Sequence, residues 1–262
     1  MISRQLPRLG FIVCLFLGTL FIHAESKAQV GKVEQKTREN KSQKSGSSNS
    51  SSSGDSGDTG DSFFGTLFID VFFGGFNLMF DAHRSMLDRR FHEPWMVSME
   101  GNLTGGYDPN FSTFMLSSSL RGNWGLFSTQ FRFNRLFDNT GTFRTFDWQI
   151  IQFNILAREE VNFWIGTGLS HEFTADQTYH ENSVGLKLFF NQRKINPGIE
   201  FRWSRDYETG ATPRIELNTQ LDYLIGQYGK IDLNLMGGFS YQRYFSDVDF
   251  YFLQTGLIIR LN

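Results

Sequence analysis

The run Ile215-Glu216-Leu217-Asn218-Thr219-Gln220-Leu221-Asp222-Tyr223 is followed, after a tight break, by Ile231-Asp232-Leu233-Asn234-Leu235-Met236-Gly237-Gly238-Phe239-Ser240-Tyr241-Gln242. In both runs the odd positions are mostly apolar or aromatic and the even positions mostly polar. A period of two belongs to a β-strand, whose successive side chains point to opposite faces. Similar runs begin near Trp95, Ser112, Leu126, Phe143, Val161, Ser183, Ile199 and Phe250, which makes ten strands within residues 93–262. An all-β fold follows, and an even number of amphipathic strands suits an antiparallel transmembrane β-barrel.

Two details refine this expectation. Apolar residues change from even to odd positions between Trp148-Gln149-Ile150 and Ile151-Gln152-Phe153, which predicts a β-bulge. Connections also alternate in length: 123–125, 158–160, 191–194 and 226–229 are tight, whereas 105–111, 137–142, 173–182, 208–211 and 244–248 are mostly longer. In a membrane barrel the tight turns face the periplasm, so both ends of the barrel domain are expected there.

Alternation leaves open which face is inside, because a soluble lipocalin-like barrel alternates as well. Residue choice favours an outward apolar face. From Ser62 onward only Lys187, Lys194 and Lys230 are lysines, against fourteen arginines, whereas a water-exposed sheet face would be rich in Lys and Glu. The polar positions hold small hydrogen-bonding residues such as Ser98, Asn102, Thr104, Asn162, Gly166, Gly168 and Ser170, which suit a crowded lumen. Glu100, Arg121, Arg132, Asp147, Glu200, Arg202, Glu216, Asp222, Asp232 and Arg260 are expected to face that lumen and to pair there, since charges withdrawn from water require partners. Trp95, Trp124, Trp203, Tyr207, Tyr223, Tyr241 and Tyr251 lie near strand ends, as interfacial girdles do, while Trp148 and Trp164 lie nearer strand middles.

Three segments precede the strands. Arg4 and Arg8, the apolar run 9–22 and the small-residue sites at Ala24 or Ala28 mark residues 1–28 as a secretory signal peptide. Fourteen apolar residues fall short of the ~20 that span a bilayer as a helix. The single cysteine, Cys14, lies in this segment, so the mature chain offers no disulfide, thiolate metal site or thiol nucleophile. Residues 29–61 are rich in Lys, Glu, Gln, Ser, Gly and Asp and read as a disordered linker; Asp55, Asp58 and Asp61 belong to this acidic tether. In residues 62–92, Phe64, Leu67, Phe68, Val71 and Phe72, then Phe76, Met79, Phe80, His83, Met86 and Leu87, recur at helical spacing around Gly74-Gly75. Two amphipathic helices at a membrane interface or on the barrel mouth are expected, with extra strands or a lumen plug as alternatives.

The chain's final strand reads Gln254-Thr255-Gly256-Leu257-Ile258-Ile259-Arg260-Leu261. It resembles the polar, any, Gly, any, any, hydrophobic, any, hydrophobic pattern that closes small bacterial outer-membrane β-barrels, a broad class within which no subfamily is matched. That class usually ends on an aromatic, whereas here Leu261 is followed by Asn262. The resemblance implies that Gln254, Gly256, Ile259 and Leu261 engage the barrel-assembly machinery during biogenesis. It implies a Gram-negative outer membrane, with lipid around the barrel and the linker in the periplasm, where it would reach a periplasmic partner.

Chemistry is sparse. His171, in Ser170-His171-Glu172, shares the apolar phase of Phe163, Ile165 and Leu169 and is the one weak catalytic candidate, for lipid hydrolysis. Neighbours in a strand face opposite ways, so Ser170 is not the hydroxyl His171 would activate. A ten-stranded omptin-like protease resembles this chain in strand number alone, and Asp206, Asp247 and Asp249 read as ordinary loop carboxylates. His180-Glu181 also reads as loop. No zinc spacing or phosphate loop occurs, no metal or cofactor is implied, and a net charge of −2 gives no reason to expect a nucleic-acid partner. The expectation is a non-enzymatic barrel with a structural, scaffolding or binding role; a narrow solute channel, a lipid hydrolase and a soluble periplasmic barrel are the alternatives.

Overall fold

The structure, a computed structural model, describes residues 29–47, 81, 83–85, 87–88 and 97–262. The signal peptide, most of the Phe-rich segment, and Trp95 lie outside these residues. Ten strands follow in order: β1 (Val97–Asp108), β2 (Thr113–Trp124), β3 (Phe127–Phe137), β4 (Thr142–Ala157), β5 (Val161–Glu172), β6 (Gln177–Leu188), β7 (Ile195–Arg205), β8 (Arg214–Tyr228), β9 (Ile231–Tyr244) and β10 (Val248–Leu261). Each pairs antiparallel with its neighbours in sequence, and β10 returns to β1, from Met99 opposite Leu261 to Tyr107 opposite Leu253. The barrel is therefore closed and has no free edge.

Side-chain polarity is inverted relative to a soluble protein. Leu103, Leu120, Ile150, Leu221, Leu257 and Ile259 point outward and are exposed, while Arg132, Arg202, Glu181, Glu216 and Asp222 are buried inside. Outward Trp124, Tyr223 and Tyr228 ring the tight-turn end, and Tyr207 and Tyr251 lie toward the other. Such a surface is stable against lipid and not against water, which overturns the lipocalin-like alternative. Among the described residues no helix is long and apolar enough to cross a membrane; here the strands do so. The expected bulge is present: the β4–β5 register shifts between Trp148 and Ile151, leaving Gln149 and Gln152 both facing inward and fully buried.

Two strands begin earlier than the pattern suggested, β6 at Gln177 and β7 at Ile195. In β6, Thr178, His180 and Asn182 are polar on the outward face as well, so the period of two has no contrast there. In β7, Pro197-Gly198 imitates a turn. Pro197 is tolerated because β6 pairs with β7 only from Gly198 onward, so the missing N–H falls where one side has left the ladder. The connection expected over 173–182 consequently shrinks to 173–176, and His180 and Glu181 are strand residues, not loop.

The largest correction concerns the linker. Within it, α1 (Val30–Ser47) is an 18-residue helix. Val30, Val33, Thr37 and Asn40 recur at helical spacing and are all buried, a stripe two valines wide that composition alone obscures. It covers the loop end of the barrel. The Gln29 and Val30 N–H groups donate to the Asp138 carboxylate (3.3 and 3.2 Å), which thereby caps the helix from the β3–β4 loop. Asn40 donates to Asp206 (2.7 Å) and Lys41 to the Ala175 carbonyl (2.8 Å), while Lys36 pairs with Asp247 (3.5 Å). Four of the five loops at that end thus hold the helix. The linker and the barrel termini were expected on one side; α1 instead sits at the end opposite Val97 and Leu261.

Beneath α1, its two valines close an apolar cluster of Met115, Leu136, Phe143, Tyr244, Val248, Phe250 and Phe252. The loop-end storey of the lumen is therefore a small hydrophobic core, and the polar storeys lie below it. At the opposite end, the described residues between 81 and 88 are helical. His83 Nδ1 accepts the Leu126 N–H (3.3 Å), and its ring packs on Phe127 (5.0 Å between centroids). Gly125, at φ +65°, makes this approach possible, since a Cβ there would lie 3.0 Å from the His83 ring.

Candidate functional site

The middle of the lumen is crossed by a lattice of buried charges. Arg132 on β3 donates Nε to Asp147 on β4 (3.0 Å) and grips both oxygens of Glu216 on β8. In a ring of ten strands, β3 and β8 are diametrically opposite, so this fork–fork pair spans the full width of the lumen. Arg214 on β8 reaches back to Asp147 (2.8 Å) and to Glu181 on β6. Arg202 on β7 bonds Glu181 (3.0 Å), Glu200 (3.0 Å) and the Gln130 amide oxygen on β3 (2.6 Å). Uncharged donors complete the shell: Ser170 (2.7 Å) and Asn134 (3.1 Å) donate to Asp147, and Gln149 donates to Glu181 (2.6 Å). Desolvated charges are stable only when satisfied in this way.

Nearer the tight-turn end, Glu100 accepts from Arg260 (2.5 and 3.0 Å) and Lys187 (3.4 Å), and Lys187 also pairs with Asp222 (2.7 Å). Asp232 stands apart from both groups, half-buried at the rim, where Asn262 donates to it (2.8 Å). Arg121 bonds the neutral Ser128 (3.2 Å) and Asn154 (3.1 Å) and lies over the Trp164 ring at 4.3 Å. Trp164 is inside the barrel, unlike the outward Trp148; it fits because Gly185 has no side chain, and a Cβ there would stand 2.1 Å from the indole. The lumen holds a mid-barrel cavity of about 90 Å³ and one of about 50 Å³ at the tight-turn end.

Of the lumen residues read from sequence, Glu100, Arg132, Asp147, Glu200, Arg202, Glu216 and Asp222 all lie within these groups. Arg214, Glu181 and Lys187 were missed. Arg214 shares the phase of Glu216 two residues on and Glu181 that of Ser183, so extending β6 and β8 backward would have found both, whereas Lys187 lies within the strand read from Ser183 and shares its inward phase. Outside the membrane-spanning strands, burial works to raise the Asp138 carboxyl, but donors from Thr140, Val30 and Gln29 more than offset it and hold it below the usual carboxylate value. Burial pushes the His83 imidazole down.

His171 points outward, bonded through Nδ1 to Thr178 (3.0 Å) and packed edge-on against Phe173, while Ser170 turns inward to Asp147. A second outward group surrounds His180: Thr167 lies 2.7 Å from Nε2, and Tyr207 (3.1 Å) and Asn182 (3.3 Å) meet Nδ1. Of the C-terminal signal, Gln254 and Gly256 face the lumen, whereas Ile259 and Leu261 face outward on the seam with β1. A Cβ at Gly256 would stand 2.3 Å from the Leu103 carbonyl oxygen, so the seam itself requires glycine. Among the described residues, no group of three His, Cys, Asp or Glu is placed to hold a metal ion.

No family model matches the chain, and no curated protein matches its sequence. Among solved structures it is similar to the N-terminal β-barrel domain of Pseudomonas aeruginosa OprF, at 7% identity and a TM-score of 0.33, covering 63% of this chain and 98% of that one. It is similar to the NanC porin at 11% identity and 0.36, covering 62% and 99%. For the KdgM porin the values are 8% and 0.33, covering 63% and 99%. These neighbours are bacterial outer-membrane β-barrel proteins.

Proposed function

We propose that this protein is an outer-membrane β-barrel with a structural or binding role in the cell envelope and is not a diffusion pore. The carrying observation is the wall-to-wall contact of Arg132 with Glu216, braced by Arg214 and Arg202, beneath a mouth sealed by α1. A cavity of about 90 Å³ holds a few waters and falls well below the ~300 Å³ of small-ligand sites. Outward apolar strands, a leader-like N-terminus and the C-terminal strand pattern support the outer membrane. Purified full-length protein in planar bilayers is expected to give no steady conductance; steady, solute-dependent conductance would refute this reading in favour of the narrow channel.

One observation favours a second reading, an acyl-lipid hydrolase. The Thr167 hydroxyl lies 2.7 Å from His180 Nε2 on the lipid-facing side, a hydroxyl–imidazole pair of the kind that activates a nucleophile once Nε2 is the acceptor, whereas the Asn182 amide N–H meets Nδ1 as a donor and supplies no orienting acceptor. Release of fatty acid from phospholipid by the wild type, abolished in His180→Ala and retained in His171→Ala, would establish it. No release by the folded wild type would dismiss it.

A further inference from the structure

The charged residues that line the cavity at the tight-turn end of the lumen are mainly cations. This cavity of about 50 Å³ is lined by Arg121, Arg158, Lys187, Arg193 and Arg260, with Glu100 as the single acid among the lining residues. Lys187 and Arg260 are engaged by Glu100 and Asp222. Arg193 packs on Phe189 at 3.8 Å, and the rim acids Asp232 and Glu159 act on it. Arg121 is different. It is 9% exposed, its only hydrogen-bond partners are the neutral Ser128 and Asn154, and its Nε–H has none. Trp164 supports the guanidinium from one face, a packing made possible by Gly185. Arg158, exposed on the β4–β5 turn, adds a further cation at the entrance.

Glu100, opposite Arg121 on β1, and Glu200 act on this guanidinium only through space, without an ion pair or hydrogen bond, and a flat, stacked guanidinium bonded only to neutral groups is preorganised for an oxyanion. The space is that of about two waters, which admits one small anion and excludes a sugar. The geometry points to a binding site for a phosphate-type oxyanion at the tight-turn end of the lumen, with Arg121 as its anchor and Arg158 at its entrance.

Titrating the full-length protein, folded in a phosphate-free maltoside detergent with chloride present, with inorganic phosphate tests the assignment. Saturable binding is expected, with a change in tryptophan emission that disappears in Trp164→Phe, because Trp164 lies beneath the anchor. Arg121→Gln is expected to weaken binding about tenfold or more through loss of a charge-assisted contact. If that variant does not form a heat-resistant barrel, Arg158→Gln, on the exposed turn, is expected to weaken binding severalfold while leaving the lumen intact. Absence of saturable binding by the wild type, or unchanged affinity in the arginine variants, overturns the site. Binding is expected to persist in phospholipid nanodiscs, because a lumen cavity too small for a sugar is closed to a lipid headgroup; loss of binding there overturns the site.

Discussion

Replacing Arg132 with Gln removes a side chain that joins opposite walls of the lumen through a two-oxygen grip on Glu216. In the wild type, three guanidiniums (Arg132, Arg202, Arg214) face four carboxylates (Asp147, Glu181, Glu200, Glu216). The substitution leaves two against four. Glu216 keeps only Arg214 Nε at 3.7 Å and the Asn218 amide at 2.7 Å, and Asp147 keeps Arg214, Ser170 and Asn134. Breaking one side of a buried pair costs about 3–5 kcal/mol, because the orphaned charge stays desolvated. Equilibrium urea unfolding in lipid vesicles, followed by tryptophan emission and by the heat-dependent gel shift, measures the loss. Arg132→Gln combined with Glu216→Gln restores the balance to two against three and is expected to recover at least half of it. A single-variant loss below about 1 kcal/mol, or a double variant worse than both singles summed, would refute the idea that the lattice holds the walls together.

Other outcomes follow from the ends of the barrel. Burial lowers the His83 pKa, and Nδ1 must be unprotonated to accept the Leu126 N–H. Docking of its helical segment is therefore complete above the ordinary imidazole value and lost as pH falls through the lowered one, which protease protection around residue 83 as a function of pH will read. Asp138 has the same sign in the carboxylate range: its pKa is held down in the folded protein, so its cap on α1 is fully present above the ordinary carboxylate value and lost in stronger acid. Asp138→Asn should flatten that acid limb in hydrogen exchange of the first turn of α1. With Cys14 in the leader, Ser42→Cys on α1 and Lys230→Cys on the β8–β9 turn give single thiols at opposite barrel ends. They are expected to label from opposite sides of intact outer membranes, and same-side labelling would exclude α1 from the loop-end mouth. Gly185→Ala places a methyl on the Trp164 indole and should cost about 1–3 kcal/mol in the same urea assay, with a shifted tryptophan emission.

The legible part of this protein is whatever its strands write with a period of two. Ile215–Tyr223 and Ile231–Gln242 showed it because one face meets lipid and the other a polar interior, a contrast that survives in a one-dimensional string. The switch at Gln149 and Gln152 was visible for the same reason. Where both faces carry the same character, the signal vanishes. The first half of β6 is polar on both sides and was read as loop, hiding Glu181, to which two guanidiniums and an amide converge. Near the loop end of β10 both faces are aromatic, so nothing marked Phe250 and Phe252 as interior.

The sequence by itself determined strand number, antiparallel order, the outward apolar face and the inward side of Arg132, Asp147, Arg202, Glu216 and Asp222, because these follow from alternation along each strand. The tertiary structure alone decided who meets whom across the lumen. The Arg132–Glu216 partnership joins residues 84 apart in sequence through the closure of the ring. Likewise the helix of α1 rests on Val30 and Val33, two apolar residues in a polar segment. Such a stripe is too narrow to stand out in composition and acquires meaning only against the apolar cluster at the loop end, where Asp138 caps the helix and Asp206 holds Asn40.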